Sequence, residues 1–204
     1  MYAIVTKDIE IASRIIQEGR VAAFPTGTSY GLAANALAGH ALQRVRNLKK
    51  RPQEKPLSVF MTETLWETYL DLSPQERIFL QQHAGAALTL LVQPKAALAH
   101  LAHDGRIGLR VIDHPLMQEL ADSTQLPLTA TSANVAGENA CYDTACIETS
   151  FPGKQDTTYD LSLGCILGGG TLLAKNTSTV AQLTQSGAQI IRQGALVLHT
   201  SSPA

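Results

Sequence analysis

Apolar positions along the chain alternate between a helical and a strand-like period. Ala3 to Val5 reads as a short strand, and Ile11, Ile15 and Ile16 fall on one face of a predicted helix over Ile9 to Glu18, stopped by Gly19. Val21 to Phe24 is an apolar run of strand length ended by Pro25. Ala38 to Lys50 returns to the helical period, with Ala41, Leu42, Val45 and Leu48 inward and Pro52 closing it. Ser58 to Met61 is another short strand. Ser73-Pro74-Gln75-Glu76 is a capping box with proline at the first helical position, which predicts a helix to about His83. Ala87 to Val92 and Ile107 to Val111 read as strands, and Asp113 with Pro115 starts a helix to about Asp122. Leu126 to Thr131, Ile166 to Gly170, Thr179 to Leu183 and Gln189 to Arg192 read as later strands separated by loops rich in glycine and hydroxyl residues.

Strands alternate with helices early and dominate late, so the pattern predicts an α/β fold with an open mixed sheet flanked by helices, not a purely parallel one. Gly137 to Thr158 is polar and without period: a long surface excursion with one short helix, and by length a candidate lid.

A hydrophobic fraction of 45% over 204 residues is enough for one sizeable core, and one domain over 1–204 is expected. The formal net charge of -1 excludes a globally basic coat, so any anion site must be local. Lys7, Asp8 and Glu10 interrupt the first apolar residues in a way a secretory leader does not tolerate. The uncharged run from Leu161 to Ala174 is glycine-broken and too short to span a bilayer, so a cytoplasmic protein with no membrane partner is expected. Cys141, Cys146 and Cys165 form no C-x-x-C pair and fit reduced, packed thiols.

Four segments carry candidate chemistry. Arg44, Arg46, Lys49, Lys50, Arg51 and Lys55 crowd the end of a helix and the Pro52–Pro56 segment, where prolines reduce the entropy lost when side chains engage a ligand. The same cations also suit a solvated face or a helix C-terminus. Pro25-Thr26-Gly27-Thr28-Ser29-Tyr30 supplies hydroxyls and backbone N–H groups for a polar or anionic ligand. Thr131-Ser132-Ala133-Asn134 and Asn176-Thr177-Ser178-Thr179 end or begin strands with short donors and acceptors, and Arg110 and Arg192 stand near strand ends. No Walker loop, G-x-S-x-G elbow or H-E-x-x-H occurs, and His100 and His103 lack a standard metal spacing. His114, before Pro115, reads as a helix-start residue. Polar and cationic groups without a nucleophile point to a reaction run by positioning and electrostatics, such as adenylyl transfer.

In this order the segments resemble the YrdC-like threonylcarbamoyl-AMP synthase family, in its short single-domain form. VAAFPTGTSYGLAANAL is similar to the motif P-T-[ED]-T-x-Y-G-L, and LKKRPQEKPLSV to K-x-R-P-x-x-x-P-L. ALTLLV, GLRVIDHP, LTATSANVAG, TSTVAQL and IIRQGA resemble the later blocks in sequence. The resemblance implies a twisted open sheet with a basic concave groove. It also implies a nucleotidyltransferase that joins L-threonine, bicarbonate and ATP into L-threonylcarbamoyl-AMP and pyrophosphate, for threonylcarbamoyladenosine in tRNA. By motif position, Lys49 and Arg51 would be catalytic, and Lys49, Arg51, Lys55, Thr89, Ser132, Asn134 and Arg192 would hold ATP. Thr26, Thr28, Tyr30, Arg110 and Ser178 would hold threonine. Mg²⁺ would accompany the phosphates, and tRNA or the downstream threonylcarbamoyl transferase would be partners.

Two positions depart from the pattern: Gly27 stands where the first motif is acidic, and the Asp before the paired glycines of a late block is replaced within Leu167-Gly168-Gly169-Gly170. Two alternatives compete with the synthase. One is a non-catalytic RNA-binding module, against which a 5% aromatic content leaves few stacking platforms. The other is a paralogue that adenylylates a different carbamate or carboxylate.

Overall fold

A computed structural model describes residues 3–153 and 163–198. Local signals set most of the elements. Strand β1 (Ile4–Thr6) leads into helix α1 (Ile9–Gln17), which the Asp8 side chain caps by accepting from the Glu10 and Ile11 N–H groups. Strands β2 (Ala22–Pro25) and β3 (Tyr30–Ala33) form a hairpin, so the hydroxyl loop is confined to residues 26–29 between them. Helix α2 (Gly39–Lys49) ends on Lys50 in the left-handed region (φ 47°) and is followed by strand β4 (Ser58–Phe60). A 3₁₀ turn, the one-turn helix α3 (Trp66–Tyr69) and strand β5 (Leu70–Asp71) come next, none with a sequence signal strong enough to predict. The capping box opens helix α4 (Pro74–Gln82) with both reciprocal hydrogen bonds in place. Strand β6 (Leu88–Pro94), a 3₁₀ stretch (Ala96–Leu101) and strand β7 (Ile107–Arg110) precede helix α5 (Pro115–Thr124). The cap of α5 is His114, whose ring nitrogen accepts from Leu116 N–H, one residue later than the Asp113 start read from the sequence. Strand β8 (Leu128–Ser132), helix α6 (Thr144–Ser150) and strands β9 (Cys165–Leu167), β10 (Thr179–Thr184) and β11 (Gly187–Arg192) complete the order.

The strands join in the order β1-β9-β2-β3-β8-β4-β7-β6-β10-β11, with β5 pairing on β6. Parallel pairs (β1 with β9, β2 with β9, β4 with β7, β6 with β10) mix with antiparallel ones, so the expected open mixed sheet flanked by helices is the observed fold.

Successive side chains point to opposite faces, and each face has its own core. On one face Ala12, Ile15 and Ile16 of α1 and Met117, Leu120 and Ala121 of α5 pack on Ala22, Phe24, Ala33, Phe60, Leu128, Cys165 and Leu167. On the other, Ala41, Leu42, Val45 and Leu48 of α2, with Leu80, Leu98, Ile147 and Phe151, cover Val21, Ala23, Leu32, Val59, Leu88, Leu90, Val92, Leu109 and Ala181. Helices α1 and α5 cover only the β9–β2–β3–β8 half of their face. Among the described residues, the half over β7, β6 and β10, with Ser58 of β4, stays open.

One expectation is corrected. Cys141 and Cys146 are joined in a disulfide, with Cα atoms 5.4 Å apart, because the chain turns at Asp143 and the first turn of α6 folds back on the preceding loop. A five-residue separation in a segment without period gives no sign of that turn. Cys165 alone remains a buried thiol, pushed by burial to about 12 and therefore protonated and inert. Helix α6 is the short helix expected in the 137–158 excursion, whose end lies outside the described residues. No helix among the described residues is long and apolar enough to cross a membrane.

Removing the cap and thinning the α5 core should be separable in size. Urea denaturation should show Ser73→Ala costing about 1 kcal/mol and Leu120→Ala about 2–5 kcal/mol. Equal losses would contradict the assignment of Leu120 to a closely packed core.

Candidate functional site

The open half-face carries a cavity of about 730 Å³. Its floor follows from strand alternation. Thr89 and Leu91 of β6, Gly108 and Arg110 of β7, Ser58 of β4 and Val180 and Gln182 of β10 point into it, while their neighbours Leu88, Leu90, Leu109, Val59 and Ala181 point into the opposite core. The β2–β3 loop forms one wall through Thr26, Thr28, Ser29 and Tyr30, and Ser132 and Arg51 lie at another.

Hydrogen bonds tie the loop wall together. Thr26 Oγ1 donates to the Ser29 carbonyl at 2.7 Å, stands 3.1 Å from Thr28 Oγ1, and accepts from the N–H groups of Thr28 and Ser29. Arg110 lies 3.5 Å from Thr28 Oγ1 and forms a short ion pair with Asp113, whose other carboxylate oxygen accepts from Gly27 N–H at 3.0 Å. Burial pulls the Arg110 guanidinium down, and Asp113 offsets this. The Tyr30 hydroxyl donates to the Gly170 carbonyl and accepts from Gly169 N–H, both at 2.8 Å, which clips the late glycine run to the loop. A Cβ on Gly169 would stand 2.6 Å from Pro25 Cγ, so that close approach requires glycine.

The wall opposite is set by the parallel pairing of β6 and β10. It brings Thr89 Oγ1 within 2.9 Å of Ser178 Oγ, and Arg192 donates to the Ser178 carbonyl at 2.9 Å.

The basic helix end divides by role. Arg44 donates to the Gly19 carbonyl, and Arg46 to the carbonyls of Pro52 and Lys55, so both shape backbone. Lys49 is 2% exposed, and its ammonium donates to the carbonyls of Ser132 and Asn134 and to Asn134 Oδ1. Asn134 in turn accepts from Ser132 Oγ and donates to the carbonyls of Val135 and Glu138. Lys49 and Asn134 therefore lie beneath the turn that presents Ser132 and do not line the cavity. Lys55 is exposed and outside it too. Arg51, donating to the Pro56 carbonyl, does line it.

Of the residues singled out in the sequence, the fold thus brings Thr26, Thr28, Tyr30, Arg51, Thr89, Arg110, Ser132, Ser178 and Arg192 to one cavity. Sequence reasoning missed Ser58, Arg106, Asp104 and Gln182 on its lining and Asp113 behind it. The alternation of polar and apolar positions in β6, β7 and β10 was the signal that could have marked an open face. Arg51 Nε and Arg110 Nε are buried without a hydrogen-bond partner. No group of three or more His, Cys, Asp or Glu side chains among the described residues converges to hold a metal. Asp113 is committed to Arg110 and Gly27, so the lining residues form no carboxylate cage.

Comparison with known proteins places this geometry. The Sua5/YciO/YrdC family model, described as telomere recombination, matches residues 14–194. The chain is 31% identical over 196 residues to the threonylcarbamoyl-AMP synthase of Pyrococcus abyssi, covering 94% of this chain but 55% of that protein. It is 33% identical over 189 residues to the threonylcarbamoyl-AMP synthase of Pseudomonas aeruginosa, covering 90% of this chain and 95% of that one. Among solved structures, P. abyssi Sua5 complexed with L-threonine superposes with a TM-score of 0.80 at 27% identity, covering 95% of this chain and 57% of that chain.

Lys49 gives a pH-dependent test. Burial, and secondarily the neighbouring Arg51 guanidinium, push its ammonium down to about 8 from an ordinary value of 10.5. Between those two values the unfolded chain binds a proton that the folded chain has released, so this group's contribution to stability rises with pH across that window. Chemical denaturation of wild type and Lys49→Met should show the difference shifting in favour of wild type from pH 8 to 10.5. A pH-independent difference would contradict a buried, depressed Lys49.

Proposed function

This chain belongs to the Sua5/YciO/YrdC family, and we propose that it is a threonylcarbamoyl-AMP synthase acting in the tRNA threonylcarbamoyladenosine route. The observation that carries this reading is the convergence of four arginines and ten hydroxyl residues, from segments far apart in sequence, on one cavity of about 730 Å³. That volume is in the range of small-molecule sites, roughly 300–1,000 Å³. The family match and the threonine-bound relative supply the substrate class.

The reaction poses an electrostatic problem that this lining suits. L-Threonine and bicarbonate condense to a carbamate with loss of water. A carbamate oxygen then attacks the α-phosphorus of ATP, and pyrophosphate leaves. Two anions must meet, so fixed cations aimed at the reacting region lower the barrier and exclusion of water protects the carbamate. Arg51 and Arg192, with Thr89 and Ser132, would hold nucleotide and phosphates. Arg110, Thr26, Thr28 and Ser178 would seat threonine between the β2–β3 loop and β10, with Tyr30 fixing the loop. Lys49 acts from below, holding the Ser132 turn. Magnesium would travel with the phosphates as their counter-ion. The product would pass to a threonylcarbamoyl transferase that modifies tRNA, and the protein would act in the cytoplasm.

Purified protein given ATP, bicarbonate and L-threonine should form threonylcarbamoyl-AMP and pyrophosphate, read by mass spectrometry. Arg51→Ala should lower the rate by about 10²-fold with little change in melting temperature. Failure of wild type to form either product would reject the proposal.

A further inference from the structure

Position 27 is glycine, and the volume a side chain would take there is already filled. A Cβ built on Gly27 lies 2.7 Å from Asp113 Oδ2, 2.8 Å from its Cγ and 2.9 Å from its backbone oxygen. A side chain at 27 and the Asp113 carboxylate therefore exclude each other. The carboxylate is 2% exposed and fully engaged, by Gly27 N–H on one oxygen and Arg110 on the other. Its reach links three parts of the chain: the β2–β3 loop, the end of β7 and the residues leading into α5.

From this geometry we infer that Asp113 is the positioning residue for the amino-acid end of the cavity, joining Gly27 of the β2–β3 loop to Arg110 at the end of β7. The inference rests on the synthase reading for the identity of the amino acid, but its argument is local. Arg110 is buried, with Arg192 near enough to repel it. Without a fixed counter-charge, such a guanidinium is costly to bury and free to choose other partners. Asp113 occupies one side of the guanidinium and holds the same terminal nitrogen 3.5 Å from Thr28 Oγ1, which fixes how Arg110 faces the cavity it lines. By binding Gly27 N–H as well, Asp113 fixes the segment that carries Thr26 and Thr28 relative to Arg110. Asp113 is not itself among the residues lining the cavity, so it works through Arg110 and the loop. A second consequence is reciprocal: glycine at 27 and aspartate at 113 act as one unit, and moving the carboxylate across the contact should preserve what it does.

The test is steady-state kinetics of adenylate formation, with L-threonine and ATP varied separately, on wild type, Asp113→Asn, Asp113→Ala and the double variant Gly27→Asp/Asp113→Ala. Thermal melting of each accompanies it. Asp113→Asn keeps the shape and removes the charge. It should raise the KM for L-threonine by about tenfold, equivalent to about 1.4 kcal/mol, while the KM for ATP changes less than about twofold. The double variant should recover most of the threonine affinity that Asp113→Ala loses. An unchanged threonine KM in Asp113→Asn, an equal rise in both KM values, or a double variant no better than Asp113→Ala would overturn the inference. Should wild type form no adenylate, calorimetric titration with L-threonine alone still decides. Weaker binding by Asp113→Asn than by wild type supports the positioning role although the synthase reading fails, and equal or absent binding overturns it.

Discussion

Everything in the cavity depends on one face of a two-sided sheet being covered over half its width. A strand buried on both faces must be apolar at every position, whereas a strand with one open face can carry polar groups at every second one. Helices α1 and α5 seal the half over β9, β2, β3 and β8, where Phe24, Ala33, Leu128 and Leu167 meet them. Beyond their edge the alternate positions of β4, β7, β6 and β10 become Ser58, Arg110, Thr89 and Gln182, and the cavity is the consequence. The opposite face stays sealed by α2 and α4, so the polar floor rests on a rigid core.

The same arrangement explains how the cations are used. A guanidinium in water gains little from one more anion, but one already desolvated by the fold gains a charge-assisted hydrogen bond at little further cost. Burial desolvates both Arg51 and Arg110. Arg44 and Arg46 spend their donors on carbonyls and hold the shape of the chain around α2. Lys49 is an intermediate case: a buried charge kept by carbonyls, fixing the Ser132 turn from behind.

Much of this was legible in the sequence because it is encoded locally. The apolar stripe of α1, the Ser73–Glu76 box and the apolar runs of β6 and β7 each carry their own signal, and the hydroxyl and arginine positions of the family motifs do converge. What was not legible depends on tertiary neighbours. Tyr30–Ala33 is strand because β2 and β8 flank it, a pairing that its own residues do not signal. Lys49 and Asn134 sit below the surface that Ser132 presents, a distinction of depth that spacing cannot encode. The Cys141–Cys146 disulfide depends on a turn in a segment without period. Asp113 was read only as a helix start, because its partners Gly27 and Arg110 are brought to it by the fold.

The most direct measurement is a crystal structure of the protein with L-threonine and a non-hydrolysable ATP analogue. The account predicts both ligands over the open half-face, the phosphates within hydrogen-bond distance of Arg51 and the amino-acid carboxylate on Arg110. Nucleotide bound elsewhere on the molecule, or threonine seated away from Arg110 and the β2–β3 loop, would contradict it.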